Sequence, residues 1–458
     1  MLRLSLSGVW NLMPLFSALS QAQKHILPYR ILGLFAISIL LWLAACAAPP
    51  AATSEPILTA TLSSTTVSQL ITPTPTVSPT PSGPITLTVW WPDTLVPASQ
   101  ESASLQLADY IDSFHTTTSE GRIETRQKKV QDVGGIMETL KAASAVAPAA
   151  LPDVTLLRRA DLLTAIAAGY IQPIDGLITS AVLGDLYPTA LELGRLNGIM
   201  YGLPYAINIE HIAYRPVLLS GNFALFDDVL ADQQTFVFPA GVTDGLSNVL
   251  YLQYLSAGGT VSDLTSGKPN QTALRTVLTF YQEAVAQGII DPSVLDYARS
   301  DDYLFQLREG KMNAAVITST QYLGLLADGH ALDAAPIPLA RGEPTTVVNG
   351  WMWVIVTKDK ARQAFASRFI EYMMGVERQA TYTRLVNMLP SRRAAMRVWE
   401  SGPYATLADQ LLLNARLPIF ETGDNITLRA LQNALSAVIG GQRTPDEAVK
   451  DVIEQVSR

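Results

Sequence analysis

The sequence predicts an α/β fold in which sheets are layered with helices and divided between two lobes. Three observations lead there. From residue 85 to about 169, strand-like and helix-like stretches alternate, the pattern of a sheet covered by helices. Gly350–Thr357, GWMWVIVT, is apolar on both faces, as a central strand buried under helices must be. The 374 residues from 85 to 458 exceed the usual size of a single hydrophobic core.

Taken in order, the chain begins with a segment of another kind. Residues 31–45 form an apolar run of fifteen, preceded by Lys24, His25 and Arg30 and closed by Cys46, the sole cysteine. A charged region, an apolar stretch and the small residues Ala44 and Ala45 before the cysteine make a secretory signal. As a helix the run would span roughly 22 Å, short of the ~30 Å hydrocarbon core. Leu43-Ala44-Ala45-Cys46 resembles the bacterial lipobox, in which the cysteine is lipidated and becomes the new N-terminus. Residues 1–46 are therefore expected to be a lipoprotein signal, with Cys46 the lipidation site and the remainder extracytoplasmic, anchored to the cell membrane. Residues 47–84 hold 8 Pro, 15 Ser or Thr and one charge, Glu55. Such a stretch cannot bury enough apolar area to fold and is expected to be an extended spacer.

Removing a signal with three basic and no acidic residues takes the net charge from −8 to −11. An acidic surface argues against nucleic acid, which needs a basic footprint. With no cysteine beyond Cys46, the fold uses no internal disulfide and depends on core burial.

Ile85–Trp91 alternates with period 2 and reads as a strand ended by Pro92-Asp93. Leu105, Ala108, Ile111 and Phe114 recur at helical spacing within 99–116, and a short strand follows at 122–126. Gly134-Gly135 precedes a helix carrying Met137 and Leu140. Pro152-Asp153 leads into the strand Val154–Leu157, with Asp153 expected to cap the turn, and Asp161–Ala168 is a helix closed by Gly169. A helix at 187–196, a turn at Asn197-Gly198 and a strand Ile199–Leu203 stopped by Pro204 come next. Ile209–Tyr214 and Phe236–Phe238 read as two further short strands. Helices are expected at about 246–257, 271–287 and 300–308, a strand at Ala314–Thr318, and a mainly helical tail beyond 361. Thr444-Pro445-Asp446-Glu447 is a helix start with Thr as N-cap, Pro at N1 and Glu at N3.

The chemistry-bearing motifs of enzymes are missing. There is no HExxH, CxxC, G-x-S-x-G or P-loop, and His115, His211 and His330 are isolated, so no metal, cofactor or catalytic residue is expected. A glycosidase carboxylate pair carries no local motif and stays open. Aromatic residues say more. Trp90, Trp91, Trp351 and Trp353 lie at strand ends, where ligands of α/β sheets bind. An indole can stack on the C–H face of a sugar ring while amides and carboxylates bond the hydroxyls. Trp351 and Trp353 share one face of their strand, and core packing is the alternative role for each. Arg392 and Arg393 read as surface charges.

The order of landmarks resembles family 1 of the extracellular solute-binding proteins of ABC importers, the carbohydrate binders of the maltodextrin-binding type. The resemblance rests on ITLTVWW at 85–91, LPDV at 151–154, GIMYGLP at 198–204 with Tyr205 and Tyr214-Arg215, and REGKMNAAVIT at 308–318. Pro336-Ile337-Pro338 followed by Asn349-Gly350-Trp351, and Pro390-Ser391-Arg392, complete it. Tyr214-Arg215-Pro216 departs from the family's YYN-K run, and Asn425–Leu431 lacks an aromatic that lines the pocket elsewhere in the family.

The resemblance implies a two-lobed periplasmic-binding-protein-like fold of class II, with mixed sheets and a hinge. Lobe 1 would span 85–206, completed by about 342–375, and lobe 2 would span 207–341, completed by about 376–458. Crossings are expected near Pro204–Asn208 and Pro338–Glu343. The ligand, a mono- or oligosaccharide, would lie in the cleft against Trp91, Asp93, Tyr205, Asn208, Asp244, Tyr322, Trp351 and Trp353. Partners would be that ligand and an ABC permease, with the protein a monomer. Three other functions fit the same residues: the same fold binding a polyol phosphate or metal chelate, which would need a basic cluster in the cleft; a surface glycan-processing enzyme; and an adhesion module on a stalk.

Overall fold

The computed structural model describes residues 84–96, 101–243, 245–399, 402–419 and 425–457. The expected signal, Cys46 and all but the last residue of the spacer lie outside these, as does Asp244.

Ten strands organise the chain: β1 (Ile85–Pro92), β2 (Gly121–Lys128), β3 (Val154–Arg158), β4 (Arg195–Leu196), β5 (Ile199–Met200), β6 (Leu203–Tyr214), β7 (Ala314–Thr318), β8 (Asp333–Ala335), β9 (Val348–Ile355) and β10 (Leu389–Pro390). Apart from the β4–β5 hairpin they form one mixed, eight-stranded sheet. Its main path runs β10-β6-β9-β3-β1-β2, and β7 and β8 also pair with β6. β1 is parallel to β2 and β3, whereas β9 is antiparallel to both β3 and β6.

β6 joins two groups of partners. Its residues Leu203–Ile209 pair with β9, and Ala206 and Ile207 also pair with β10. Its residues Glu210–Tyr214 pair with β7, and Ile212–Tyr214 with β8. The sheet is packed on both sides at each end. Around β1, β3 and β9, helices Glu101–Thr117 and Lys360–Met373 bury Phe114, Phe365 and Phe369 on one face. Helices Arg159–Ala167 and Pro403–Leu413 close the other face with Leu162, Leu411 and Leu412. Around β7, helices Asn248–Ser256, Gln271–Ala286, Ile426–Ile439 and Pro445–Val456 pack on Val316 and Ile212. Each fully buried Leu, Ile, Val or Phe contributes about 1.5–3 kcal/mol relative to exposure.

Several elements differ from the sequence reading for definable reasons. Pro204 does not end a strand, because β6 runs unbroken through it. The missing N–H falls beside a register shift between Pro204 and Ala206, where no ladder donor is required, and Ser391 Oγ donates to the Pro204 carbonyl at 2.6 Å. Phe236–Phe238 is reduced to a single bridge, Val237 to Ala315, with both phenylalanines buried. The helix expected over 187–196 stops at Leu193, and the chain turns through β4 and β5. Asn197 (φ 52°) and Gly198 (φ 81°) supply the two positive φ angles that a tight hairpin needs.

Asp153 does more than cap a turn. It accepts the Thr88 N–H at 2.8 Å and the Arg362 guanidinium at 2.6 and 2.5 Å, pinning β1 to helix Lys360–Met373. Arg392 is no surface charge. It is largely buried, bonded to Asp185 at 2.8 Å and to the Met374 carbonyl at 2.5 Å, while Arg393 donates to the Gly184 carbonyl. Thr444 and Glu447 form the expected reciprocal cap.

His211 lies wholly inside on one face of β6, its ring nitrogens 3.2 Å from the Tyr404 hydroxyl and 3.1 Å from the Ile212 carbonyl. Burial pushes its pKa down from 6.5 to about 4, so the folded state holds it neutral. The unfolded chain binds the extra proton between those values, and stability must fall as pH drops from about 6.5 towards 4. His211→Gln, which keeps polar atoms near Tyr404 but cannot titrate there, should flatten that limb of a melting-temperature-against-pH curve. An unchanged slope would remove His211 as its source.

Candidate functional site

The two faces of β6 are treated differently. Ile207, Ile209, His211 and Ala213 point into continuous packing that includes Leu411 and Tyr404 from helix Pro403–Leu413 and Tyr322 from helix Ser319–Ala327. On the opposite face, Ala206 joins the core of β1, β3 and β9, and Ile212 joins the core around β7. Asn208 and Glu210 lie between those two cores and stay partly exposed. The same face of β9 carries Asn349, paired with Asn208, and Trp351, paired with Ala206. A polar rung thus crosses the sheet where neither core covers it.

Glu210 forms the wall of a recess of about 220 Å³ beside this rung. Pro239, Leu246 and Val316 supply apolar walls; Asn248, Arg299 and Ser300 supply polar ones. The Asn248 amide donates to Glu210 Oε1 at 2.7 Å, and the Glu210 backbone exchanges hydrogen bonds with the Thr346 hydroxyl. Desolvation in the recess pushes the Glu210 carboxyl above its ordinary range, opposed in part by the Asn248 hydrogen bond. On the other side of the rung, the Arg158 guanidinium lies over the Trp351 ring at 5.5 Å and 3.6 Å from Asp161. Asp93 follows the C-terminal end of β1; its Oδ1 is buried without a hydrogen-bond partner. Among the described residues no group of three or more His, Cys, Asp or Glu could hold a metal ion.

The residues expected at a ligand are placed in different ways. Trp91, Tyr205 and Trp353 are at most 1 % exposed and lock together with Tyr382. Ring centroids are 5.1 Å apart for Trp91 and Trp353, 5.3 Å for Tyr205 and Trp353, and 5.6 Å for Trp91 and Tyr382. Their rings face one another. Tyr322 packs on the far face of the sheet, 5.0 Å from His211, with its hydroxyl on the Leu332 carbonyl. Trp351, 6 % exposed, borders the uncovered strip, and Asn208 lies in it. Sequence reasoning missed Glu210, Asn248 and Asn349. The signal for Glu210 was present: it stands two residues after Asn208, on the same face of an otherwise apolar strand.

The family model for the bacterial extracellular solute-binding protein matches residues 109–405. The chain belongs to this family. Solved structures share the fold of this solute-binding protein. One is the cyclic alpha-maltosyl-1,6-maltose binding protein from Arthrobacter globiformis, at 16% identity and a TM-score of 0.63, covering 82% of this chain and 98% of that one. Another is the maltose-binding periplasmic protein from Listeria monocytogenes in complex with maltose, at 17% identity and 0.63, covering 81% and 96%. A third is a family 1 extracellular solute-binding protein from Bifidobacterium longum subsp. infantis, at 14% identity and 0.62, covering 82% and 99%. The family is one of binding proteins rather than enzymes, and its description places it outside the cytoplasm. Among the described residues of this solute-binding protein, no helix is long and apolar enough to cross a membrane.

The contrast between the locked rings and the polar rung is measurable. Trp353→Ala should cost about 3–5 kcal/mol by leaving a cavity among three aromatic neighbours. Asn208→Ala should change stability by less than about 1 kcal/mol, since Asn208 is partly exposed. Urea unfolding followed by circular dichroism compares the two; equal costs would contradict this division of roles.

Proposed function

We propose that this solute-binding protein captures a carbohydrate on the uncovered strip at Asn208 and Asn349 and delivers it to an ABC permease. The observation that carries the reading is the polar Asn208–Asn349 rung, left open between two apolar cores and bordered by Trp351. Amides pair with hydroxyls as donor and acceptor together, and an indole edge offers an apolar surface to the ring carbons. The orphaned Oδ1 of Asp93 would take a hydroxyl hydrogen bond at the end of β1. Tyr205, Trp91 and Trp353 would then support the strip from behind. Tyr322 would brace β6 through His211, and Asp244 would reach the ligand from the loop after Pro239.

Closure would follow from bending within β6, which is common to both groups of strands, and in the segment that leads into β9. A ligand favours the closed form only to the extent that it binds that form more tightly. The permease would read the closed shape. Cys46, lipidated, would hold the protein at the membrane surface through the spacer 47–84, as a monomer needing neither cofactor nor nucleic acid.

Calorimetric titration of the protein with a panel of neutral mono- and oligosaccharides tests the reading. A member of the panel should bind with one-to-one stoichiometry and no turnover, and Asn208→Ala should weaken it roughly tenfold by removing hydrogen bonds to the ligand. A panel with no binder would end the proposal. Separately, Cys46→Ala should move the protein from the membrane fraction to the soluble fraction of the producing cell and abolish fatty-acid labelling; retention of label would refute the anchor.

A further inference from the structure

Glu210 is the residue that a neutral-sugar reading leaves unexplained. It stands on the uncovered face of β6 at the mouth of a recess whose other walls include Pro239, Leu246 and Val316. Its single hydrogen-bonded side-chain partner is the neutral Asn248 amide, at 2.7 Å on Oε1. Among the described residues, no Lys, Arg or His nitrogen lies within ion-pair distance of its carboxylate. Two other part-buried acids are matched, Asp153 by Arg362 and Asp185 by Arg392, whereas Asp93 at the end of β1 shares with Glu210 the lack of a cation among the described residues. An acid without its counter-charge, lining a recess and standing two residues from Asn208 on the same face of β6, is a place for the counter-charge to arrive from outside.

We propose that the recess at Glu210 is a subsite for a protonated amine on the ligand, so that the carbohydrate taken is an amino sugar or a saccharide carrying an amino-substituted ring. This rests on the carbohydrate reading and narrows it. The ammonium donates to the free oxygen of Glu210, with Asn248 holding the other oxygen and Ser300 available to the remaining N–H groups. Burial without a cation raises the Glu210 carboxyl above its ordinary range, and an ammonium beside it reverses that and keeps it ionised. The groups facing Glu210 are few: Arg299 at the rim of the recess, exposed; the Asn248 amide; and Tyr303, whose hydroxyl is committed to the Val316 carbonyl. Its sequence neighbour His211 points through the other face of the sheet. Among the described residues Arg299 is the one cation lining the recess, and it works against the ammonium.

Matched pairs that differ only in amines standing in place of hydroxyls test this. Glucosamine against glucose, and the fully deacetylated disaccharide of chitin against cellobiose, are titrated into the whole protein at mildly acidic pH, where the amines are charged. The aminated member should bind roughly ten- to a hundredfold more tightly, the range of a hydrogen bond to a charged group. Glu210→Gln keeps an acceptor for Asn248 and should abolish the preference, leaving the aminated and neutral members of each pair within about twofold of one another. Arg299→Gln, at an exposed position, should widen the preference. Equal affinity for the paired sugars, or a preference that survives Glu210→Gln, overturns the subsite and leaves the carbohydrate reading intact. Binding by neither member of any pair, nor by any neutral sugar, overturns both.

Discussion

One strand has its backbone groups satisfied by two different sets of neighbours. β6 gives its first seven residues to β9 and its last five to β7, with β10 and β8 on its remaining edges. A buried backbone donor or acceptor left unpaired costs as much as a lost hydrogen bond, so both sets of partners must be present together. On one face of β6 Tyr404 and Tyr322 pack across the point where partners change; on the other, which carries Asn208 and Glu210, the two cores leave that point uncovered. The opening belongs to that face alone, and the polar residues sit where it leaves them wet. The approach of β9 to β6 is close enough that Gly350 admits no side chain: a Cβ there would lie 2.4 Å from the Ala206 carbonyl oxygen.

The remainder of the structure holds that crossing in place without a disulfide. Asp153 and Arg362 tie the start of β3 to a helix more than two hundred residues away in sequence. Arg392 ties the segment after β10 to Asp185. Gln379 donates to the Tyr205 carbonyl at 2.8 Å and to Ser391 Oγ at 3.0 Å, inside the core, binding β6 to the helix that carries Tyr382. The Asp153–Arg362, Asp185–Arg392 and Tyr205–Gln379 contacts each join parts of the chain more than 170 residues apart.

What could be read in advance follows from how local each signal is. β7 was legible to the residue because Ala314–Thr318 is a short apolar run between a glycine-ended helix and a Thr cap. β9 was legible within two residues because GWMWVIVT is apolar on both faces. Pro204 misled because its effect depends on the neighbouring strand: only the register shift opposite β9 makes the lost donor harmless. Arg392 misled because nothing near it in sequence announces Asp185. The site was half legible. Asn208 was named as a candidate from its place after GLPYAI, but whether an indole can face a ligand turns on what covers it. Trp91 is covered by Tyr382 and Trp353 by Phe369, residues brought from distant helices, and period-2 patterning cannot report that. Glu210 escaped notice because an acid on an alternating strand reads as a solvated edge, and the walls of its recess come from Pro239, Asn248 and Arg299, three separate loops and helix ends.

The winding of the chain through this sheet also bears on how such a protein can change over evolutionary time. The sequence leaves the first group of strands within β6, returns in β9, and touches β6 once more in β10. No single cut in the gene separates one end of the molecule from the other. Exchange of one half for a homologue's would need several coordinated breakpoints, one of them inside β6. Diversification of such a chain is thereby confined to point substitution on the open strip and to growth of peripheral loops, with the frame itself inherited whole.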